Sequence, residues 1–279
     1  NALAQRLSDA DAIIFAGGIS PQLEGEEMRV DYPGFNGGDR TTIQLPAVQT
    51  ELMKTLQKTG KPLVFVMMTG SAIAIPWENE HVPAIINAWY GGQSAGTSIA
   101  DVLFGDYNPA GRLPVTFYKS DTDLPGFSDY SMDGRTYRYF RGEPLYPFGY
   151  GLSYTRFNYS NLVLPKAVVL GKKVMVTVSV KNTGSRDGEE VVQLYTAHQY
   201  IKGKTPVRAL KGFKRIFLKA GETKQIQFML SAADLSLTGE ESGKLFQPKG
   251  KIDISVGGGQ PGVKNFTTSN VLTKQLIIF

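Results

Sequence analysis

The sequence predicts two domains of different class: a doubly wound α/β sandwich over residues 1–117 and an all-β sandwich of immunoglobulin-like architecture over residues 157–279. Two observations carry this. Up to about residue 117, continuous apolar runs alternate with stretches of helical apolar spacing, joined by short glycine turns, as βα units require. From Phe157 the helical spacing stops, and short alternating runs recur between turn signals. A third observation marks the join. Residues 118–156 carry neither period but are dense in tyrosine, phenylalanine, proline and glycine. Such aromatic content argues for a packed segment between the domains and against a floppy tether.

In chain order, Leu3 to Leu7 reads as the tail of a helix, and Ala12–Ala16 as an apolar strand. Thr41 with Gln44 three residues on has the form of a capping box, predicting a helix through Leu45, Val48, Leu52, Met53 and Leu56, with Gly60 as its stop. Leu63–Met68 has no polar alternation, as a strand buried on both faces of a parallel sheet should. Pro83–Trp89 reads as a further strand. Gly91-Gly92-Gln93-Ser94-Ala95-Gly96 then turns tightly into a helix carrying Ile99, Val102 and Leu103, ended by Gly105. That glycine run lacks the lysine of a phosphate-binding loop and the spacing of a dinucleotide fingerprint.

In the second half, Val174–Val180 alternates and ends at Asn182-Thr183-Gly184. Strands follow at Glu190–Tyr195, Leu210–Ile216, Gln225–Leu230 and Lys251–Val256, separated by Arg186-Asp187-Gly188 and Ala220-Gly221-Glu222 turns. Strands at this spacing are those of a sandwich.

Composition narrows the function classes. The hydrophobic fraction of 42% and charged fraction of 20% exclude disorder, and the absence of cysteine excludes disulfides and thiolate metal sites. No apolar run approaches the ~20 residues of a spanning helix, so no membrane insertion is expected. A formal charge of +5 raises nucleic-acid binding. The lysines and arginines are scattered along the strands without interleaved stacking platforms, which favours a solvated basic surface, and no nucleic-acid partner is expected. His81 and His198 stand apart from other ligand types, so neither is expected to hold a metal or join a triad. No cofactor is expected.

The candidate chemistry lies in one loop. Gly17-Gly18-Ile19-Ser20-Pro21-Gln22-Leu23-Glu24-Gly25-Glu26-Glu27 leaves the end of the first strand, and the loop closes at Gly38-Asp39-Arg40. In open α/β sheets, ligands bind at the carboxyl ends of strands. A carboxyl group there can protonate a leaving oxygen if its surroundings keep its pKa up. The competing reading of Glu24, Glu26 and Glu27 is a solvated acidic loop. Calcium fits less well, since the alternating ligands of a calcium loop are missing.

Several long motifs, in order, resemble glycoside hydrolase family three. They are Glu24-Gly25-Glu26 with Gly38-Asp39-Arg40, Leu45-Pro46 and Gln49; Trp89 to Gly96; Leu103-Phe104-Gly105-Asp106-Tyr107-Asn108-Pro109-Ala110-Gly111-Arg112-Leu113-Pro114; Gly134 to Phe140; and Tyr146 to Tyr154. Lys181-Asn182-Thr183-Gly184 and Leu210-Lys211-Gly212-Phe213 resemble that family's C-terminal fibronectin type III-like domain. The resemblance implies a retaining, exo-acting β-glycosidase removing terminal xylose or glucose from oligosaccharides. It implies that the general acid/base sits on this α/β domain, at Glu26, with Glu24 and Glu27 as alternatives. The nucleophile is expected on an N-terminal barrel domain that this chain does not contain, which makes the chain a C-terminal portion, inactive alone, of a periplasmic or secreted enzyme. Asp39 and Arg40 are expected to brace the base of the loop as an ion pair. Arg135, Tyr137 and Arg138 are candidates for substrate or interdomain contacts, with aromatic packing an equal reading. The Gly134–Arg138 segment looks closer to the xylosidase branch. The alternative function is a non-catalytic module that binds carbohydrate or protein.

Overall fold

A computed structural model describes residues 5–24, 28–199, 205–239, 242–263 and 268–279. The chain divides into two compact units, Asn1–Phe104 with Phe117–Leu124, and Gly105–Thr116 with Pro125–Phe279.

The first unit runs β1 (Ile13–Gly18), α1 (Pro21–Glu24), β2 (Phe35–Asn36), β3 (Asp39–Arg40), α2 (Ala47–Gln57), β4 (Leu63–Met68), α3 (Pro76–His81), β5 (Ala84–Asn87) and α4 (Ala95–Phe104). Its sheet has the order β1-β4-β5 and is parallel throughout. The register runs from Ile13 opposite Leu63 to Gly18 opposite Met68, and from Val64 opposite Ala84 to Met67 opposite Asn87. Leu63, Phe65, Val66 and Met67 are all buried, so β4 is covered on both faces and has no need of polar alternation. Met53 and Leu56 bury the inner face of α2.

Two local expectations are corrected here. The helix after the acidic loop starts at Ala47 instead of near Thr41, with Pro46 at its N-cap and no side-chain cap. Proline holds the preceding residue out of the helical region, so Leu45 stays extended. Thr42 is engaged elsewhere: its Oγ1 donates to Asp121 Oδ2 at 2.7 Å, and Ile43 N donates to Asp121 Oδ1 at 2.7 Å. The strand expected over Pro83–Trp89 spans only Ala84–Asn87, because Trp89 turns into the left-handed region with φ 53°. Helix α3 has a sequence signal, Pro76 in its first turn, that periodicity alone does not pick out.

The second unit contains α5 (Thr136–Tyr139), β6 (Phe157–Val163), β7 (Ala167–Val168), β8 (Val174–Asn182), β9 (Gly188–His198), β10 (Ala209–Leu218), β11 (Thr223–Leu230), β12 (Leu237–Thr238), β13 (Leu245–Phe246), β14 (Gly250–Gly257) and β15 (Val271–Ile278). One sheet has the order β10-β9-β14-β15-β7 and the other β11-β8-β6. Their inner faces share one apolar core, in which Val174, Val176, Val178 and Val180 of β8 all point inward and are buried. That is the period of two read in the sequence.

Asn182 ends β8 and is wholly buried. Its Nδ2 donates to the carbonyls of Arg186 and Leu218, and its Oδ1 accepts from Thr155 Oγ1 and Gly184 N. One amide thus holds a turn and two neighbouring segments together. Residues 105–116 group with this sandwich, which differs from a boundary at residue 117. Arg112 donates to Glu190 of β9 at 3.2 Å in a buried ion pair, Tyr107 Oη donates to Glu189, and Asn108 Nδ2 donates to the Asp187 carbonyl.

Candidate active site

The acidic loop leaves the carboxyl end of β1, as expected of a ligand-bearing loop in a parallel sheet. Its departure is fixed by backbone geometry. Gly18 has φ 123°, and a Cβ there would lie 1.9 Å from the Met68 carbonyl oxygen, so only glycine fits. Gln49 of α2 completes the anchor, its Oε1 accepting from Gly18 N at 2.8 Å and its Nε2 donating to Gly18 O at 2.7 Å. Ile19 N donates to the Met68 carbonyl at 2.9 Å, and Tyr90 Oη donates to the Ile19 carbonyl. Ser20 Oγ accepts from Leu23 N and opens the single turn of α1. The N–H and carbonyl groups of Gly18 and Ile19 are therefore each met by a specific partner from α2, β4 or the segment after β5.

Glu26 and Glu27 lie outside the described residues. Glu24 closes α1, and its side chain lies outside them too. The far side of the loop is described. Phe35 and Asn36 pair with Arg40 and Asp39 in a two-stranded hairpin, turned at Gly37 with φ 65°. Asp39 and Arg40 are consecutive strand residues and point to opposite faces. Asp39 is exposed, while the half-buried Arg40 donates from Nη1 to Ser71 Oγ at 2.9 Å, next to the end of β4. Ser71 is itself placed by a turn in which Thr69 Oγ1 donates to its carbonyl and accepts from its N–H.

Beside the loop's root lies a cavity of about 300 Å³, with Ile19, Tyr32, Phe35, Arg40, Thr42 and Leu45 among its walls. Its lining is mainly apolar, with Arg40, Thr42, Gln44 and the Tyr32 hydroxyl bringing polar groups.

Asn87, which sequence reasoning did not single out, sits at the carboxyl end of β5. Both its Oδ1 and Nδ2 are buried, and neither has a hydrogen-bond partner among the described residues. Such groups are rare in folded proteins and call for a reason other than stability. The signal was present in the sequence, as the single polar residue inside Ala84-Ile85-Ile86-Asn87-Ala88-Trp89.

The three candidates near residue 135 belong to the second unit. Arg135 donates to the carbonyls of Ser131, Gly126 and Asp129, and so closes the loop before it. Tyr137 stacks on Phe148 with ring centroids 4.2 Å apart, meets Tyr195 edge-on, and accepts from Leu210 N through its Oη. Both are thus engaged in organising the unit they belong to. Arg138 is exposed, with its guanidinium 5.7 Å from the Tyr139 ring centroid. His81 stacks on Trp77, and its Nδ1 lies 2.8 Å from the Trp77 carbonyl. No described helix is long and apolar enough to cross a membrane.

Comparison with known proteins gives this geometry a family. The model for the glycosyl hydrolase family 3 C-terminal domain matches residues 1–154, and that for a fibronectin type III-like domain matches residues 190–260. A xylan 1,4-beta-xylosidase of Xylanibacter ruminicola is 47% identical over 253 residues, covering 90% of this chain and 29% of the relative. A periplasmic beta-glucosidase of Salmonella typhimurium is 36% identical over 266 residues, covering 91% of this chain and 33% of the relative. Among solved structures, a β-glucosidase from Erythrobacter marinus matches with a TM-score of 0.83 at 33% identity, over 100% of this chain and 36% of that one. The chain spans about a third of the length of the curated relatives it matches. Its fold is that family's α/β domain followed by a fibronectin type III-like β-sandwich. The chain belongs to glycosyl hydrolase family 3.

Proposed function

We propose that this chain supplies the general acid/base of a retaining, exo-acting β-glycosidase that removes terminal xylose from oligosaccharides, acting in the periplasm or outside the cell. The observation that carries the reading is the acidic loop leaving the carboxyl end of β1, pinned at its root by Gln49 and Tyr90, in a chain of this family. A retaining glycosidase needs two carboxyl groups ~5 Å apart across the scissile bond. One attacks the anomeric carbon and forms a covalent glycosyl-enzyme. The other first gives its proton to the leaving oxygen, then takes one from the water that releases the sugar. We assign that second role to Glu26, with Glu24 and Glu27 as the alternatives, and the attack to a carboxylate on an N-terminal barrel of the complete polypeptide. The cavity beside the loop offers Tyr32 and Phe35 to the C–H face of a sugar and Arg40 to its hydroxyls. Identity to a xylosidase of 47% against 36% to a glucosidase supports xylose over glucose.

The test is Glu26→Gln in the complete enzyme, assayed on aryl β-xylosides of graded leaving-group pKa. Loss of the acid should slow poor leaving groups by about 10²–10⁴ while sparing good ones, and azide should restore turnover with formation of a β-xylosyl azide. The same signature in Glu24→Gln or Glu27→Gln would move the role along the loop. Its absence from all three variants would reject the assignment and leave a carbohydrate- or protein-binding module.

A further inference from the structure

We infer that the second unit holds a binding site for a sugar acid, whose carboxylate sits among Arg138, His198 and Lys211. The three side chains line a single cavity of about 200 Å³, reached from α5, β9 and β10 respectively. Among the described residues, none of the three has a carboxylate within ion-pair distance. The Nε2 of His198 is buried there without a hydrogen-bond partner among them. Placing two cations and an unpartnered buried imidazole nitrogen around one cavity is unfavourable unless something compensates, which makes it a mark of a binding site.

The titration behaviour of the cluster agrees. Burial holds the His198 imidazole down to about 4, and the Lys211 charge pushes in the same direction. Burial also lowers the Lys211 ammonium, which Asp234 opposes and Arg138 reinforces. Asp234, whose Oδ2 accepts from the N–H and hydroxyl of Ser231, acts on Lys211 from beyond ion-pair distance and offsets only part of the burial cost. An anion in the cavity would favour the charged forms of His198 and Lys211 together.

The remaining walls select the kind of anion. Thr196, Ser236 and Thr238 bring hydroxyls that can meet those of a sugar, while Tyr139 and Leu245 offer surface to its C–H faces. A volume near 200 Å³ falls below the ~300–1,000 Å³ of sites for drug-sized ligands, so one sugar residue fits better than a chain. A uronic acid residue, free or terminal on an oligosaccharide, has this chemistry. The inference stands apart from the catalytic reading of the acidic loop.

The experiment is an NMR titration of the 279-residue chain with D-glucuronate, with D-glucose, acetate and phosphate as comparison ligands. The chain has two histidines, and His198→Gln assigns the signal. Glucuronate should bind saturably and raise the pKa of His198, because a carboxylate beside the ring favours the imidazolium. Lys211→Gln and Arg138→Gln should each weaken binding by at least about tenfold, the loss of one charge-assisted hydrogen bond. Arg138 is exposed, so its variant keeps the test valid even where Lys211→Gln disturbs β10. The inference is overturned if glucuronate gives no saturable shift, if glucose binds as tightly, if acetate or phosphate matches glucuronate, or if both variants keep wild-type affinity.

Discussion

At the scale of single residues, the first unit depends on positions where one side chain, or none, is allowed. Gly18 is the sharpest case. Gly18→Ala combines a disallowed φ with a methyl group driven into the Met68 carbonyl, and should cost more than about 3 kcal/mol, read as a lowered denaturation midpoint. Asn87 should behave in the opposite way. Its amide lies buried without a partner among the described residues, so Asn87→Val is expected to leave the melting temperature unchanged or raise it, the mark of a residue kept for a purpose other than stability. His198 gives a pH signature. An unfolded chain protonates this ring near the ordinary 6.5, whereas the folded one resists until about 4. The stability associated with the neutral ring is therefore complete above 6.5 and is lost as pH falls through that window. Thermal melts from pH 7 to 4 should fall more steeply for the wild type than for His198→Gln.

At the scale of elements, strands were more legible in the sequence than helix starts, for a physical reason. A strand's alternation is written in consecutive residues, and Val174, Val176, Val178 and Val180 bury the face that their spacing announces. The beginning of α2 depends on chain 74 residues away. Asp121 captures Thr42 and Ile43, which lie between Thr41 and Gln44, the pair that otherwise looks like a capping box, and Pro46 then fixes the start. The acidic loop was legible as a loop because glycines bracket it, but its anchoring by Gln49 and Tyr90 is a long-range fact that spacing does not contain. Asn182 shows the same limit within the sandwich. As part of Asn182-Thr183-Gly184 it reads as a turn residue, whereas the fold buries it and uses all its bonding capacity. Asn182→Ala would leave several buried groups unsatisfied and should cost about 3 kcal/mol, measured by denaturant unfolding.

At the scale of the whole molecule, the chain enters the second unit at Gly105, returns to the first at Phe117, and leaves it for good at Pro125. The excursion delivers Arg112 to Glu190, whose carboxyl burial pushes upward while the guanidinium holds it down. Arg112→Met should destabilise the sandwich by about 3–5 kcal/mol, because the carboxylate it leaves behind has lost its partner, and adding Glu190→Leu should recover part of that loss. The consequence reaches protein engineering. A fibronectin-type module is usually thought of as a bead that can be snipped off a string, but here a sandwich transplanted from Phe157 onward would travel without Arg112 and carry an orphaned acid in its interior. A workable graft would either stitch residues 105–116 back in or replace that acid with an oily side chain beforehand.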